Sequence, residues 1–404
     1  MHANPFSDDE LAQRLGLVRA RMAERGLDLL LLSTPENVFY LTGLDHWGYF
    51  APHLLVVPPE GEMTLITRAM ERVTIRNQVR NARFEGHGDS ETAADLAVRD
   101  LRSRRTARGR AEAALAEAED LIEALPGRRH RIGVETWSAG HSYGFGHALR
   151  AGNPGSEWVD VTGMVDALRL VKSAEEQAIM RRAAAVSDAA TAAAIAAIRD
   201  GAREADVAAE CLAAMTRAGG TPPGFGPFIR PDHRIAEEHT TWGEGVYRAG
   251  ERVMIEIAGC VARYNAPQGR LVHVGAVPDA DAEMADIARR AFEALLAALR
   301  PGARAREVYA AWQQVVDAAG MPGYRRHHCG YLVGIGFPPS WTGGNRVTGL
   351  SHDSDLLIEA GMTFHAMSWF TGTGRGEFFL SNTVLLGPDG AEVLTTTPPG
   401  PVVA

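Results

Sequence analysis

The stretch from Val253 to Gly275, VMIEIAGCVARYNAPQGRLVHVG, sets one acidic residue, Glu256, inside an apolar run. Val253 to Ala258 predicts one strand and Arg270 to Val274 a second, joined by a polar turn region that carries Gly and Pro. A carboxylate inside a strand costs several kcal/mol unless it is paired, hydrogen-bonded or wet. Glu256 is therefore the first residue from which a function is expected; the plainer alternative is a glutamate on a solvated strand face.

A chain of 404 residues with 46% hydrophobic content has room for two or more domains with sizeable cores. The net charge of −9, with no basic patch interleaved with aromatics, argues against a nucleic-acid partner. The opening MHANPFSDDE does not read as a signal segment, and no apolar run reaches the length of a membrane span, so a soluble, cytoplasmic protein without a membrane partner is expected. Cys211, Cys260 and Cys329 show no metal-site or disulfide spacing and are expected to be reduced thiols.

In chain order, Asp8 to Gly26 predicts an amphipathic helix capped by Ser7 or Asp8, Leu27 to Ser33 a buried strand, Asn37 to Gly43 a short helical turn, and His53 to Thr67 two strands around a Pro-Gly turn. The loop TGLDHWGYF holds Trp47, Tyr49 and Phe50, which suits either a loop packed down by its aromatics or a wall for a cationic or planar ligand. Arg99 to Pro126 reads as a solvated helix, its RSRRTARGR cluster as an exposed basic face. His130 to Glu135 and Trp158 to Gly163 are the last strands expected of a first α/β domain over residues 1–165. The second domain, 166–404, begins with a long helix opened by a Ser173/Glu176 capping box. Helix pairs then alternate with strand pairs roughly twice over, an α+β pattern with internal pseudo-symmetry, and the TTTPPGPVVA tail is expected to fray.

The entry segment RLVKSAEEQAIMRRA, then His239 before the strand pair, GYLVGIG, EAGMTF and NTVLLGPDGAEVLT resemble the creatinase and methionine aminopeptidase family, whose catalytic domain has the pita-bread fold. The first domain likewise is similar to the creatinase-type amino-terminal domain. Peptidase members hold two divalent metals on two aspartates, a histidine and two glutamates; the corresponding positions here are Glu256, Pro267, Tyr331, Met367 and Ser381. One carboxylate among five cannot hold two such ions, so neither a metal nor another cofactor is expected. IEIAG with RYNAP, CGYLVGIGFPPSW and GMTFHAM look like ectoine hydrolase within the metal-free branch, although LSNT around Asn382 lacks a glutamate that those relatives carry nearby. The resemblance implies hydrolysis of a C–N bond in a small cyclic amidine or related cationic or zwitterionic compound. It also implies a homodimer in which the Trp47 loop reaches the neighbouring active site. The alternatives are an Xaa-Pro metallopeptidase, or a non-hydrolytic lyase or cation-binding relative.

Strand parity puts His365 and Met367 on one face, and Glu256 with Ala258 on the site face of their own strand. Glu256, His239 and His365 are thus the candidate catalytic residues: imidazole moves protons near neutral pH, and Glu256 pairs with an amidinium, acts as a base or attacks directly. Trp47, Tyr49, Phe50, Tyr264, Tyr331, Trp341 and Asn382 are the candidate substrate contacts, the tyrosines being equally readable as buried side chains with satisfied hydroxyls. His327 and His328 beside Cys329 read as surface residues, with a Cys/His nucleophile pair as the sharper alternative.

Overall fold

The structure, a computed structural model, describes residues 4–104, 130–343 and 347–404. Most of the expected helix over Arg99 to Pro126, with most of its basic cluster, lies outside the described residues. The chain divides into two compact units, Met1–Arg169 and Leu170–Ala404. The division falls just after residue 165 because the short helix Met164–Leu168 buries Met164 and Val165 within the first unit.

In the first unit, strands β1 (Leu29–Leu32), β2 (Leu54–Val57), β3 (Met63–Arg68), β4 (Ala82–His87), β5 (Arg131–Val134) and β6 (Glu157–Asp160) form a mixed sheet in the order β4-β3-β2-β1-β5-β6. Its all-leucine β1 is buried on both faces, as a central strand with helices against it must be. The Ser7 hydroxyl caps the first helix, α1 (Asp8–Glu24), by accepting from the Glu10 N–H. Leu29, Leu31, Val56, Ile66 and Ile132 of the sheet pack with Ala97 and Leu101 of the helical segment 93–104 and with Phe145 and Leu149.

The second unit is built on β7 (Phe228–Pro231), β8 (Arg252–Val261), β9 (Tyr264–His273), β10 (Gly330–Leu332), β11 (Thr363–Phe370) and β12 (Phe378–Leu386), in the order β10-β11-β12-β9-β8-β7. Two helix pairs, Ala174–Ala197 with Glu204–Arg217 and Asp279–Ala298 with Ala305–Ala318, accompany the hairpins β8-β9 and β11-β12, which gives the expected pseudo-symmetry. The capping box at Ser173 and Glu176 is present, and the Tyr264 hydroxyl donates to Glu176 at 2.6 Å, tying the start of β9 to that helix.

Two features differ from the sequence expectation. The polar turn region is not a loop: β8 and β9 run on to a two-residue turn at Ala262 and Arg263, both in the left-handed region (φ 46° and 62°). Pro267 thereby becomes part of an interior strand, opposite Ala258. The carboxy-terminal tail is not frayed. The Asp188 carboxylate accepts from the N–H and hydroxyl groups of Thr396 and Thr397, and Val402 and Val403 add a short parallel strand to β9.

Ser187, on the first long helix of this unit, locks the hairpin from behind: its hydroxyl accepts from the Gly259 N–H at 2.7 Å and donates to the Ala266 carbonyl, and those two residues are paired across the strands. The helix comes so close that a Cβ on Gly259 would lie 2.4 Å from the Ala183 carbonyl oxygen. Ser187→Ala leaves both buried groups without that partner and is expected to destabilise the protein by about 1–3 kcal/mol, read as a lower urea midpoint at unchanged slope.

Candidate active site

Directly paired strand residues share a face, so the register carries one row of side chains across five strands: Phe228, Glu256, Gly269, Ser381 and Met367. On the same face Ala258 stands beside Pro267 on one side of the row, and Arg230, Met254 and Leu271 on the other; Tyr331, His365 and Thr383 form a further set. All five positions at which the resemblance expects metal ligands therefore meet on one buried face. Glu256, Pro267, Tyr331, Met367 and Ser381 do not fit a pair of divalent cations, which require several hard oxygen or imidazole donors. Among the described residues no group of three or more His, Cys, Asp or Glu is placed to hold a metal.

Glu256 is 7% exposed and makes no hydrogen bond among the described residues; its carboxylate lies 3.9 Å from His365 Nε2. Burial pushes its carboxyl up to about 7, with the attraction of Arg230 pulling down and the repulsion of Glu238 adding to the rise. A strand glutamate on a solvated face is thus ruled out. Its ionisation sits where a general acid or base works at neutral pH.

His365 is fully buried, and both its ring nitrogens are engaged. Trp341 Nε1 donates to the Tyr331 hydroxyl at 2.9 Å, that hydroxyl meets His365 Nδ1 at 2.9 Å, and His365 Nε2 meets Ser381 Oγ at 2.7 Å. An indole N–H can only donate, so the network assigns the Tyr331 proton to Nδ1 and the imidazole proton to Nε2. Burial, with His328 adding to it, pushes His365 down to about 3, so it is neutral at working pH. This arrangement suits an orienting group better than a proton shuttle.

His239 is exposed, in the left-handed region at φ 56°, stacked on Phe225 at 5.8 Å and edge-on to Phe228 at 5.9 Å. Phe225 and Phe228 in turn pack against Trp341 at 4.8 and 5.4 Å, and Trp341 meets His365 at 6.3 Å. Glu256, His239, His365, Tyr331 and Trp341 are thus linked through one aromatic wall, a surface suited to a cation.

Two of the other expected contacts, Asn382 and Tyr264, lie on the opposite face of the sheet. Asn382 is turned to the opposite face, where its Oδ1 accepts from Arg270 and Thr395, because it is one residue out of phase with Ser381. Tyr264 likewise faces away and serves Glu176. Trp47, Tyr49 and Phe50 belong to the first unit, where Trp47 and Phe50 are 63% and 78% exposed while the Tyr49 hydroxyl donates to Leu44. The Cys329 thiol is buried and pushed well above its ordinary range, so it is no nucleophile. The sequence reading passed over Phe228 and Arg230; the available signal was an arginine inside the short apolar run PFIRP, as unusual as the glutamate in β8.

The raised Glu256 carboxyl has a stability consequence. The folded state binds its proton more tightly than the unfolded chain does, so its contribution is complete below about pH 4.5 and is lost as pH rises towards about 7. The neutral histidines, the buried His53 and His365 and the half-buried His328, held low at about 4 (His53) and about 3 (His328 and His365), act in the opposite sense below their ordinary value of 6.5. The readout is therefore a difference. Relative to Glu256→Gln, the wild-type protein should lose on the order of 3 kcal/mol between pH 4.5 and 7, as measured by denaturant unfolding across that range.

Comparison with known proteins accounts for this architecture. Residues 14–171 match the Creatinase/Prolidase N-terminal domain and residues 178–388 match metallopeptidase family M24. The chain is 27% identical over 402 residues to an uncharacterized hydrolase/peptidase, y4tM, of Sinorhizobium fredii, covering 97% of each chain. It is 27% identical over 414 residues to the ectoine hydrolase of Halomonas elongata, covering 98% of this chain and 97% of the relative. In structure it is similar to an Xaa-Pro dipeptidase from Bacillus anthracis, with a TM-score of 0.80 at 20% identity over 98% of this chain and all of that one. The chain belongs to the M24 hydrolase family, with a creatinase/prolidase-type amino-terminal domain preceding a pita-bread domain.

Proposed function

We propose that the protein is a metal-independent hydrolase that opens a C–N bond in a small cyclic amidine, an ectoine hydrolase-like reaction. The observation that carries this reading is Glu256: a buried carboxyl with no hydrogen bond among the described residues, raised to about 7, in a row whose other members are Phe228, Gly269, Ser381 and Met367. An amidinium is already cationic and planar. It lies against the Phe228 and Trp341 rings and draws Glu256 into its ionised form by direct attraction.

With substrate bound, Glu256 takes a proton from water as the water oxygen bonds to the amidinium carbon. The proton then passes to the departing ring nitrogen as the C–N bond breaks, and the second water proton leaves the new carbonyl oxygen for the freed amine, giving an amide and an ammonium group. His365, fixed between Tyr331 and Ser381, holds the Ser381 hydroxyl in place beside Glu256. His239, exposed at the edge of the aromatic wall, is the accessible group for proton exchange with solvent. The reading includes a cytoplasmic homodimer whose Trp47 loop reaches the neighbouring site, supported by the exposure of Trp47 and Phe50.

The competing reading, an Xaa-Pro dipeptidase, draws on the structural likeness to such enzymes. Purified protein incubated with ectoine is expected to open the ring, followed by mass spectrometry, with no loss of rate in EDTA. Abolition of activity by chelator and recovery with manganese, or cleavage of an Xaa-Pro dipeptide instead, overturns the proposal. Glu256→Gln should lower kcat by about 100-fold or more while the protein stays folded by circular dichroism. For the wild type, kcat/KM should rise with pH through about 7, since the base form of Glu256 is required.

A further inference from the structure

Arg230 is the charge on the site face that the proposed reaction leaves unused. It lies on β7 opposite Met254, one strand repeat from the Phe228 and Glu256 pair and on the same face. It is 1% exposed; its Nη2 meets Met254 Sδ at 2.9 Å, while Nε and Nη1 have no hydrogen-bond partner among the described residues. Arg270, equally buried on the opposite face, shows how this protein ordinarily treats an interior guanidinium: its nitrogens donate to the carbonyls of Gly269, Ser381, Thr397 and Pro398 and to Asn382 Oδ1.

A buried guanidinium with idle donors is expensive, and arginine does not escape by losing its proton. The charges it feels are Glu256, Glu238, Arg234 and Glu237. Of these, Arg234 pairs with Glu204 and Glu237, and Glu238 stands 3.9 Å from Arg326. Arg230 is thus held on the site face with Nε and Nη1 uncommitted, and either of them together with the second N–H of Nη2 forms the two-point edge that grips a planar carboxylate.

We propose that Arg230 anchors a carboxylate of the substrate, so that the site takes a zwitterion, with its cationic amidinium against Glu256 and its anionic end against Arg230. The two ladder positions lie about 7 Å apart along the strands, the scale of one small ring and its substituent. The amidinium half rests on the function proposed above; the anion half does not.

Arg230→Met and Arg230→Lys in the full-length protein test it. Acetate, which carries the carboxylate alone, should bind Arg230→Met at least tenfold more weakly than wild type by ligand-observed NMR, with Arg230→Lys in between. Equal binding, or none to either protein, overturns the anchor. Arg230→Met should melt at the same temperature as wild type or higher, because an uncompensated buried charge is removed; a large fall in melting temperature would mark Arg230 as structural and also overturns it. In turnover, the loss of kcat/KM in Arg230→Met should be at least tenfold larger for ectoine than for the same ring stripped of its carboxylate, and equal losses count against the anchor. If wild type opens neither ring, the proposed reaction falls, while the acetate arm still decides the role of Arg230.

Discussion

The register of the hairpin from Arg252 to His273 is counted from Ala262 and Arg263, whose left-handed conformations make the two-residue turn. From that turn Glu256 comes opposite Gly269, Gly269 opposite Ser381 and Ser381 opposite Met367. A slip of one residue would turn Glu256 towards the helix behind the sheet, where the backbone at Ala183 and Ser187 leaves no space even for a Cβ on Gly259. Gly269 matters on the other face for a related reason. A Cβ there would lie 2.0 Å from the Phe379 ring, so the absence of a side chain at the middle of the row is what lets that ring pack down on the strand.

Burial sets the charge state of the face, and it acts on acid and base in opposite directions. The same desolvation that lifts Glu256 to about 7 drops His365 to about 3, so their 3.9 Å approach is not a charge pair at neutral pH. The resting face therefore holds a neutral imidazole, a carboxyl poised between forms and a guanidinium with spare donors. Each of the last two is relieved by the opposite charge on a ligand, which is why a zwitterion suits this face better than a cation or an anion alone.

Most of the architecture was legible in the sequence because it rests on local signals: the capping box at Ser173, the strand runs at Leu54 and Met63, and the helix pairs with their apolar spacing. Glu256 was legible because a charge within an apolar run conflicts with its own neighbours. The long hairpin was not, since Asn265, Pro267 and Gly269 are poor strand formers whose pairing is imposed by β8 and by the helix through Ser187. The tail escaped for the same reason: what pins it is Asp188, some two hundred positions earlier in the chain. Asn382 was misplaced by a single step of strand phase, the least forgiving error in a sheet.

The choice between a peptide and an amidine as substrate turns on hydroxyl groups. Attack on a neutral peptide carbonyl builds charge on oxygen and needs donors aimed at it, or a metal in their place. Of the hydroxyls on this face, Tyr331 is held between Trp341 and His365 and Thr383 donates to the Pro267 carbonyl, which leaves only Ser381, accepting from His365, and Thr363, whose Oγ1 has no hydrogen-bond partner among the described residues, to serve such an oxygen. Attack on an amidinium instead discharges a positive carbon–nitrogen system and builds no oxyanion. It asks of the protein only a carboxylate to accept a proton and hold the cation, a flat apolar wall, and an orientation for the far end of the molecule. Glu256, the Phe228 and Trp341 rings and Arg230 are residues of those kinds, and they stand on one side of the same sheet.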